Sequence, residues 1–126
     1  MAHLTSGELA VMRLLWQHGE MKPAEIQELF PEPIKNPALR SLLTILCAKG
    51  HVTRRKVGKA YYYQAVTRQE SAFRTKLREL VDNYCGGSLQ ALLLGVLEGE
   101  RLSKDELASL ERKLRQSRAN RQGKKR

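Results

Sequence analysis

Residues 51–66, HVTRRKVGKAYYYQAV, alternate apolar side chains with polar or basic ones on either side of Val57-Gly58-Lys59. A period of two residues is typical of a β-strand, and a central glycine allows a tight reversal of the chain. The segment therefore predicts a β-hairpin. It constrains the fold strongly, because the other apolar patterns in this 126-residue chain have the spacing of helices.

Two helices are predicted in the first 31 residues. Thr5 and Glu8 match the capping box S/T-x-x-E, and apolar residues at helical spacing continue from there to about His18. Pro23 suits the first turn of a second helix, which is short because Pro31 ends it.

A third helix is predicted before Gly50, with Asn36 as its N-cap and Pro37 as its first residue. One stripe of this helix is apolar and consists of Leu39, Leu42, Leu43 and Leu46. The opposite face is small and polar and consists of Pro37, Ser41, Thr44 and Ala48, with Arg40 on its flank. Small residues permit close approach to a major groove, where an arginine can bind guanine and a hydroxyl can bond a base edge or a phosphate. The alternative is an ordinary solvated helix face.

Basic residues are concentrated in residues 35–68, which contain eight Lys or Arg and no Asp or Glu. Residues 1–34 contain two basic and five acidic side chains, and residues 69–114 contain seven and eight. A single sign of charge confined to one supersecondary unit is expected of a surface that neutralises phosphates, so a nucleic acid is the predicted partner. Together with a helix suited to a major groove, this favours double-stranded DNA. The candidate DNA contacts are Asn36, Arg40, Ser41, Thr44, Arg54, Arg55, Lys56, Lys59 and Tyr61.

Three tyrosines follow the predicted turn. Tyr61 and Tyr63 are expected on one face of the hairpin and Tyr62 on the other. One face should pack on the core while the other reaches the nucleic-acid backbone, and the alternation alone does not decide which.

The order of helix, short helix, helix and basic hairpin predicts a winged helix-turn-helix domain over residues 1–68, in a mainly α chain with a small β-hairpin. The run NPALRSLLTILCAKGHVTRRKVGKAYYYQAV resembles the recognition helix and wing of the penicillinase-repressor family (BlaI, MecI and CopY-type repressors). LTSGELAVMRLLWQHGEMKPAEI resembles that family's first two helices, and YCGGSLQALLLGVLEGERLSKDELASLERKL resembles its C-terminal dimerisation segment. The resemblance covers nearly all of residues 4–115.

Residues 69–115 predict a helical dimerisation segment. Thr67 and Glu70 are expected to cap its first helix, Ser88 to open the second, and Ser103 with Glu106 to cap the third. Apolar residues nearly encircle the second helix, and so small a segment rarely folds stably without a partner chain. The candidate dimer contacts are Leu89, Leu92, Leu93, Val96, Leu97, Leu107, Leu110 and Leu114. The alternative is that these helices fold back on the winged domain.

Residues 116–126 mix basic and small polar side chains without an apolar stripe, so a disordered basic tail is predicted there. The first twelve residues lack the pattern of a signal peptide, and no apolar run is long enough to span a bilayer. A cytoplasmic protein without a membrane partner is therefore expected.

No catalytic or metal-binding motif is recognisable. His3, His18 and His51 are scattered, and Cys47 and Cys85 do not form a C-x-x-C pair, so neither an enzyme nor a metal or cofactor site is predicted. Packing is the expected role of both thiols, with sensing at Cys47 or redox chemistry at Cys85 as the alternatives. The C-x-C pairs of the copper-responsive branch of the family are absent from ERKLRQSRANRQGKKR.

The resemblance implies a repressor that binds pseudo-palindromic operators as a homodimer at promoters of β-lactam resistance or stress genes. It also implies release by a regulatory protease that cuts the dimerisation segment. The family's best-known scissile bond joins Asn to Phe, whereas this chain has Gly95 and Val96 at that position. The alternative functions are a winged-helix module that binds nucleic acid without sequence selection, and an adaptor whose wing docks an acidic protein.

Overall fold

The computed structural model describes residues 3–99 and 101–124, with side chains described as far as residue 120. These residues form helices and one hairpin in the order α1 (Ser6–His18), α2 (Pro23–Leu29), α3 (Asn36–Ala48), β1 (Val52–Val57), β2 (Ala60–Ala65), α4 (Gln69–Tyr84), α5 (Leu89–Gly99) and α6 (Lys104–Lys124). The chain divides into two compact units, Met1–Arg78 and Glu79–Arg126, so the division falls inside α4. The prediction of a mainly helical fold with one hairpin is confirmed.

The predicted capping box begins α1. The Thr5 backbone N–H donates to Glu8 Oε1 over 3.0 Å, and the Glu8 N–H donates to Thr5 Oγ1 over 3.3 Å. The helix ends at His18, and Gly19 follows with a φ of 80°, which a side chain would disfavour. Both ends of α1 are therefore where the sequence predicts them.

The start of α3 differs from the prediction. Lys35 is the N-cap, Asn36 is the first helical residue, and no side chain caps this end. The carbonyl of Lys35 accepts the Leu39 N–H at 3.1 Å. Pro37 lacks an N–H, so the first turn of α3 has one backbone donor fewer for a cap to satisfy. As a result the Asn36 side chain stays exposed rather than folding back as a cap.

The hairpin of β1 and β2, called the wing (residues 52–65), is antiparallel and pairs Arg54 with Tyr63, Arg55 with Tyr62, and Lys56 with Tyr61. Gly58 has a φ of 62° at the first position of the two-residue turn, as a type II′ turn requires.

An isolated bridge extends the wing on its other edge. The Met21 N–H donates to the Tyr63 carbonyl at 3.0 Å, and the Tyr63 N–H donates to the Met21 carbonyl at 2.8 Å. The backbone between α1 and α2 is thereby fixed beside β2.

The core of the first unit lies between α1, α2, α3 and the root of the wing. Its buried members are Val11, Met12, Leu15, Met21, Ile26, Leu39, Leu43, Leu46, Val52 and Tyr63. The stripe predicted on α3 supplies three of these residues, and Leu42 is half-buried beside them. Burying this stripe directs the small polar face of α3 outward.

The capping box predicted at the start of α4 is wrong. The Thr67 hydroxyl lies 2.7 Å from Nδ1 of the buried His51 and hydrogen-bonds to that ring, while the Thr67 carbonyl accepts the Trp16 Nε1–H at 2.8 Å. The His51 carbonyl also accepts the N–H groups of Val66 and Thr67. Thr67 therefore joins the wing to α1, and α4 begins only at Gln69.

The second unit contains the end of α4 together with α5 and α6. The Ser88 hydroxyl accepts the Ala91 N–H at 3.1 Å, and Ser103 with Glu106 forms the predicted capping box of α6. The backbone of α6 is helical to Lys124, through much of the predicted disordered tail, because the segment lacks proline and contains good helix formers such as Arg, Gln and Ala. Residues 125–126 of that tail lie outside the described residues.

No helix in the described part of the chain is by itself long and apolar enough to cross a membrane. The bent pair of α4 and α5 meets that criterion of length and composition only when the two helices are taken together.

An ion pair fastens the start of α1 to the end of α3. Lys49 Nζ lies 2.7 Å from Oε1 of Glu8, whose side chain is buried, and also donates to the His3 carbonyl at 2.8 Å. Burial alone raises the pKa of the Glu8 carboxyl, but hydrogen bonds from Lys49 and Thr5 outweigh it and hold that pKa below its ordinary value of 4.5.

We expect Glu8→Gln to lower the free energy of unfolding and to make that free energy less dependent on pH. Since folding lowers the pKa of Glu8, its carboxylate stabilises the fold at pH values above 4.5, and this stabilisation is lost as the pH falls through the lowered pKa. Urea unfolding should show a loss of about 1–3 kcal/mol near neutral pH that shrinks as the pH falls below 4.5. Glu28→Gln, at an exposed position on α2, is the control. An unchanged pH dependence in Glu8→Gln would contradict this role.

Candidate nucleic-acid interface

The outward face of α3 consists of exposed residues. Asn36, Pro37, Arg40, Ser41 and Thr44 all lie on the solvent side of the helix, opposite the buried leucines. Apart from Arg40 these side chains are short, so another molecule can approach the helix backbone closely. An α-helix of this width fits the major groove of B-form DNA.

Arg40 and Thr44 differ in how they are placed for binding. The Thr44 hydroxyl donates to the Arg40 carbonyl at 2.9 Å, so its hydrogen is already used, and in this rotamer it is suited to accept from a base amino group rather than to donate to a phosphate. Within the described residues Arg40 has no ion-pair partner, and its guanidinium is available for a bidentate contact.

The wing presents two different cationic faces. Arg54, Lys56 and Tyr61 share the first, here called the inner wing face. The Arg54 Cζ lies 4.4 Å from the centroid of the Tyr61 ring, and the Lys56 Nζ lies 5.6 Å from the same centroid. Tyr61 thus holds both cations together by cation–π contact while they remain exposed.

The inner wing face lies on the same side as α3. A hydrogen bond with Tyr63, then its charge interactions with Tyr63 and Tyr61, raise the pKa of Arg54. Burial raises the pKa of the Cys47 thiol, and the nearby charge of Arg54 partly opposes that rise. Because β1 also contacts α3, Arg54 lies beside the helix whose outward face carries Arg40.

The second face, here called the outer wing face, consists of Arg55 and Tyr62. Arg55 donates through Nε to Glu20 Oε1 and through a terminal nitrogen to Glu20 Oε2, the latter at 2.9 Å. The hydrogen bond from Arg55 lowers the pKa of the Glu20 carboxyl, and the same bond raises that of Arg55. Lys22 Nζ and Arg55 Cζ each lie 5.9 Å from the Tyr62 ring centroid.

The structure divides the basic residues of this region into those that are paired with an acid and those that are not. Arg54, Lys56 and Lys59 are exposed and have no ion-pair partner in the described part of the chain, whereas Lys49 and Arg55 are paired with acids. Sequence reasoning missed Glu20 and Lys22 as neighbours of the wing. Glu20 is 35 residues from Arg55 along the chain, and no local pattern connects the two.

Both thiols are partly buried. Cys47 and Cys85 are free cysteines of intermediate burial, and the raised pKa of Cys47 disfavours its thiolate. Among residues 3–99 and 101–124, no group of three or more His, Cys, Asp or Glu side chains could hold a metal ion.

A three-helix core, an outward polar helix and a cationic hairpin beside that helix together define a winged helix-turn-helix protein, a class that binds DNA. Residues 4–116 match the sequence model of the Penicillinase repressor family, and the chain belongs to this family of DNA-binding repressors, which are transcriptional regulators and not enzymes.

Two relatives illustrate the match. The Penicillinase repressor of Bacillus licheniformis is 26% identical over 109 residues, which cover 85% of each chain. The Methicillin resistance regulatory protein MecI of Staphylococcus aureus (strain N315) is 28% identical over 110 residues, covering 85% of this chain and 89% of that protein.

A solved structure supports the fold. The crystal structure of the YusO protein from Bacillus subtilis matches with a TM-score of 0.53 and 22% identity, covering 90% of this chain and 75% of that one. At this identity the likeness concerns the fold alone.

Arg40→Ala and Arg54→Ala should weaken DNA binding in different ways. Loss of Arg40 should cost about 1–3 kcal/mol on a selected duplex and relax the base preference at one position, because it removes a base contact. Loss of Arg54 should weaken binding to selected and scrambled duplexes alike and lower the salt slope of log K by about 0.9 per subunit.

Fluorescence anisotropy over a range of salt concentrations measures both effects, and Arg13→Ala, at an exposed position on α1, controls for the loss of charge. If both variants bound the selected duplex as tightly as the wild type, the interface would lie elsewhere.

Proposed function

We propose that this protein is a sequence-specific repressor that binds pseudo-palindromic operators as a homodimer in the cytoplasm. The observation that carries the proposal is the exposed polar face of α3 next to the unpaired cations of the inner wing face. The helix would supply base contacts and the wing phosphate contacts, which is the division of labour in such domains.

The second unit supports a homodimer. Five large apolar side chains of α5 are between 46% and 55% exposed in the single chain: Leu89, Leu93, Leu94, Val96 and Leu97. Leu92 is half-buried, and α6 adds the exposed Leu107, Leu110 and Leu114. So much exposed apolar surface on one helix favours a protein partner, and a second copy is the partner that the family resemblance implies.

Two-fold pairing would place two copies of α3 on one duplex. Their half-sites would be about one helical turn, or a multiple of it, apart. Selection of bound fragments from random duplexes should therefore recover inverted repeats. Equal affinity for scrambled duplexes would instead favour a non-specific module, and no affinity for DNA would favour an adaptor for acidic proteins.

The relatives' names support a class of target genes. One is called a penicillinase repressor and another a methicillin resistance regulatory protein, so genes of β-lactam resistance or stress are the proposed targets. Release by a regulatory protease is part of the proposal. Gly95 and Val96 are exposed on α5, but the pair differs from Asn-Phe, so a protease that acts here has a different sequence preference.

Leu93→Asp should separate the dimer without unfolding the first unit. Leu93 is 55% exposed in the single chain, so the charge costs little there, whereas burying it between two subunits is unfavourable. Sedimentation should show a shift to single chains, and operator affinity should fall at least about tenfold because only one half-site is held. Gln90→Asp, also exposed on α5, is the matched control. A dimeric Leu93→Asp protein would contradict the assigned surface.

A further inference from the structure

Glu20 lies at a fixed place beside the wing. Its neighbour Met21 makes two backbone hydrogen bonds with Tyr63 of β2, which hold this part of the chain against the hairpin. The Glu20 side chain is only 27% exposed, whereas the Arg55 side chain is 65% exposed. The acid is therefore held close to the wing, and the arginine is the more exposed partner of the two.

The ion pair between Glu20 and Arg55 uses both carboxylate oxygens and two guanidinium nitrogens. Two guanidinium nitrogens of Arg55 donate to two different oxygens of Glu20, which is the bidentate geometry that arginine also uses for phosphate. The Tyr62 ring lies beside the guanidinium at 5.9 Å. A phosphate would need the same donors, so a DNA strand would have to displace Glu20 in order to bind Arg55.

Arg55 also lies on the other face of the wing from the unpaired cations. The alternation of the strand turns it away from Arg54 and Lys56, which lie on the inner wing face toward α3. Of the three consecutive cations in β1, the middle one alone has an ion-pair partner among the described residues. The local charge that the wing offers to a duplex is therefore lower than the sequence RRK indicates.

We propose that Glu20 withholds Arg55 from phosphate and so limits the affinity of the wing for DNA of arbitrary sequence. This inference rests on the proposed DNA-binding function. Phosphate contacts do not discriminate between sequences, so one contact fewer per subunit lowers non-specific binding and leaves the base contacts of α3 unchanged. Glu20 is in this sense a specificity-determining residue that need not touch DNA.

The test uses the full-length protein and a scrambled 40-base-pair duplex, with the association constant measured over a range of salt concentrations. Glu20→Gln should tighten binding about two- to fivefold at low salt and steepen the salt slope by about 0.9 per subunit, because Arg55 becomes available. Arg55→Gln in the wild-type background should leave that slope unchanged, whereas Arg54→Gln should reduce it by about 0.9. The double variant Glu20→Gln/Arg55→Gln should return to the wild-type slope.

Glu28→Gln is the matched control, since it removes the same charge from the neighbouring helix α2, where the residue is exposed. Circular dichroism and the thermal midpoint confirm that each variant is folded. Weaker binding by a folded Glu20→Gln protein, an unchanged slope, or a reduced slope in Arg55→Gln alone would each overturn the inference. Failure of the wild-type protein to bind any duplex would instead overturn the proposed function.

Discussion

The burial of one leucine stripe on α3 is the interaction on which the interface depends. Leu39, Leu43 and Leu46 are at most 1% exposed and pack in a core shared with α1 and α2. Truncating a buried leucine of this kind costs about 2–5 kcal/mol, so the rotation of α3 about its axis is firmly set. Successive residues of a helix are turned by about 100° about its axis, so the residues between these leucines cannot face inward as well. Arg40, Ser41 and Thr44 therefore face outward.

The wing is oriented by a second set of contacts at its root. Tyr63 is buried and paired through its backbone with Met21, and His51 with Thr67 links the ends of the two strands. The alternation of the strands then assigns each cation to a face. Arg54 and Lys56 lie toward α3 against Tyr61, whereas Arg55 lies toward Glu20. The same backbone register thus produces one face with unpaired cations and one face whose arginine is paired with an acid.

Local patterns in the sequence predict much of this architecture. The capping boxes at Thr5 and Ser103, the stripe of α3 and the Gly58 turn all act between residues close in the chain, and each is present in the structure. One error arises where distant residues compete for a group. Thr67 has the spacing of a cap, but its hydroxyl hydrogen-bonds instead to the buried His51, which comes just before β1.

The candidate site follows the same rule. Exposure of the polar face of α3 follows from helical periodicity, and the sequence therefore predicts it. The pairing of Lys49 with Glu8 and of Arg55 with Glu20 joins residues 41 and 35 positions apart, so charge counting treats these cations as free. The helical course of α6 beyond residue 116 was missed because a segment without an apolar stripe can still continue a helix already begun.

The most direct test of the interface is a titration of the isotopically labelled protein with a duplex obtained by selection, followed through backbone amide resonances. The account predicts that the largest shift changes fall at residues 36–44 of α3 and 54–61 of the wing, with the core of α1 little affected. Changes confined to α5 and α6, or spread evenly over both units, would contradict the assignment of α3 and the wing as the surface that holds DNA.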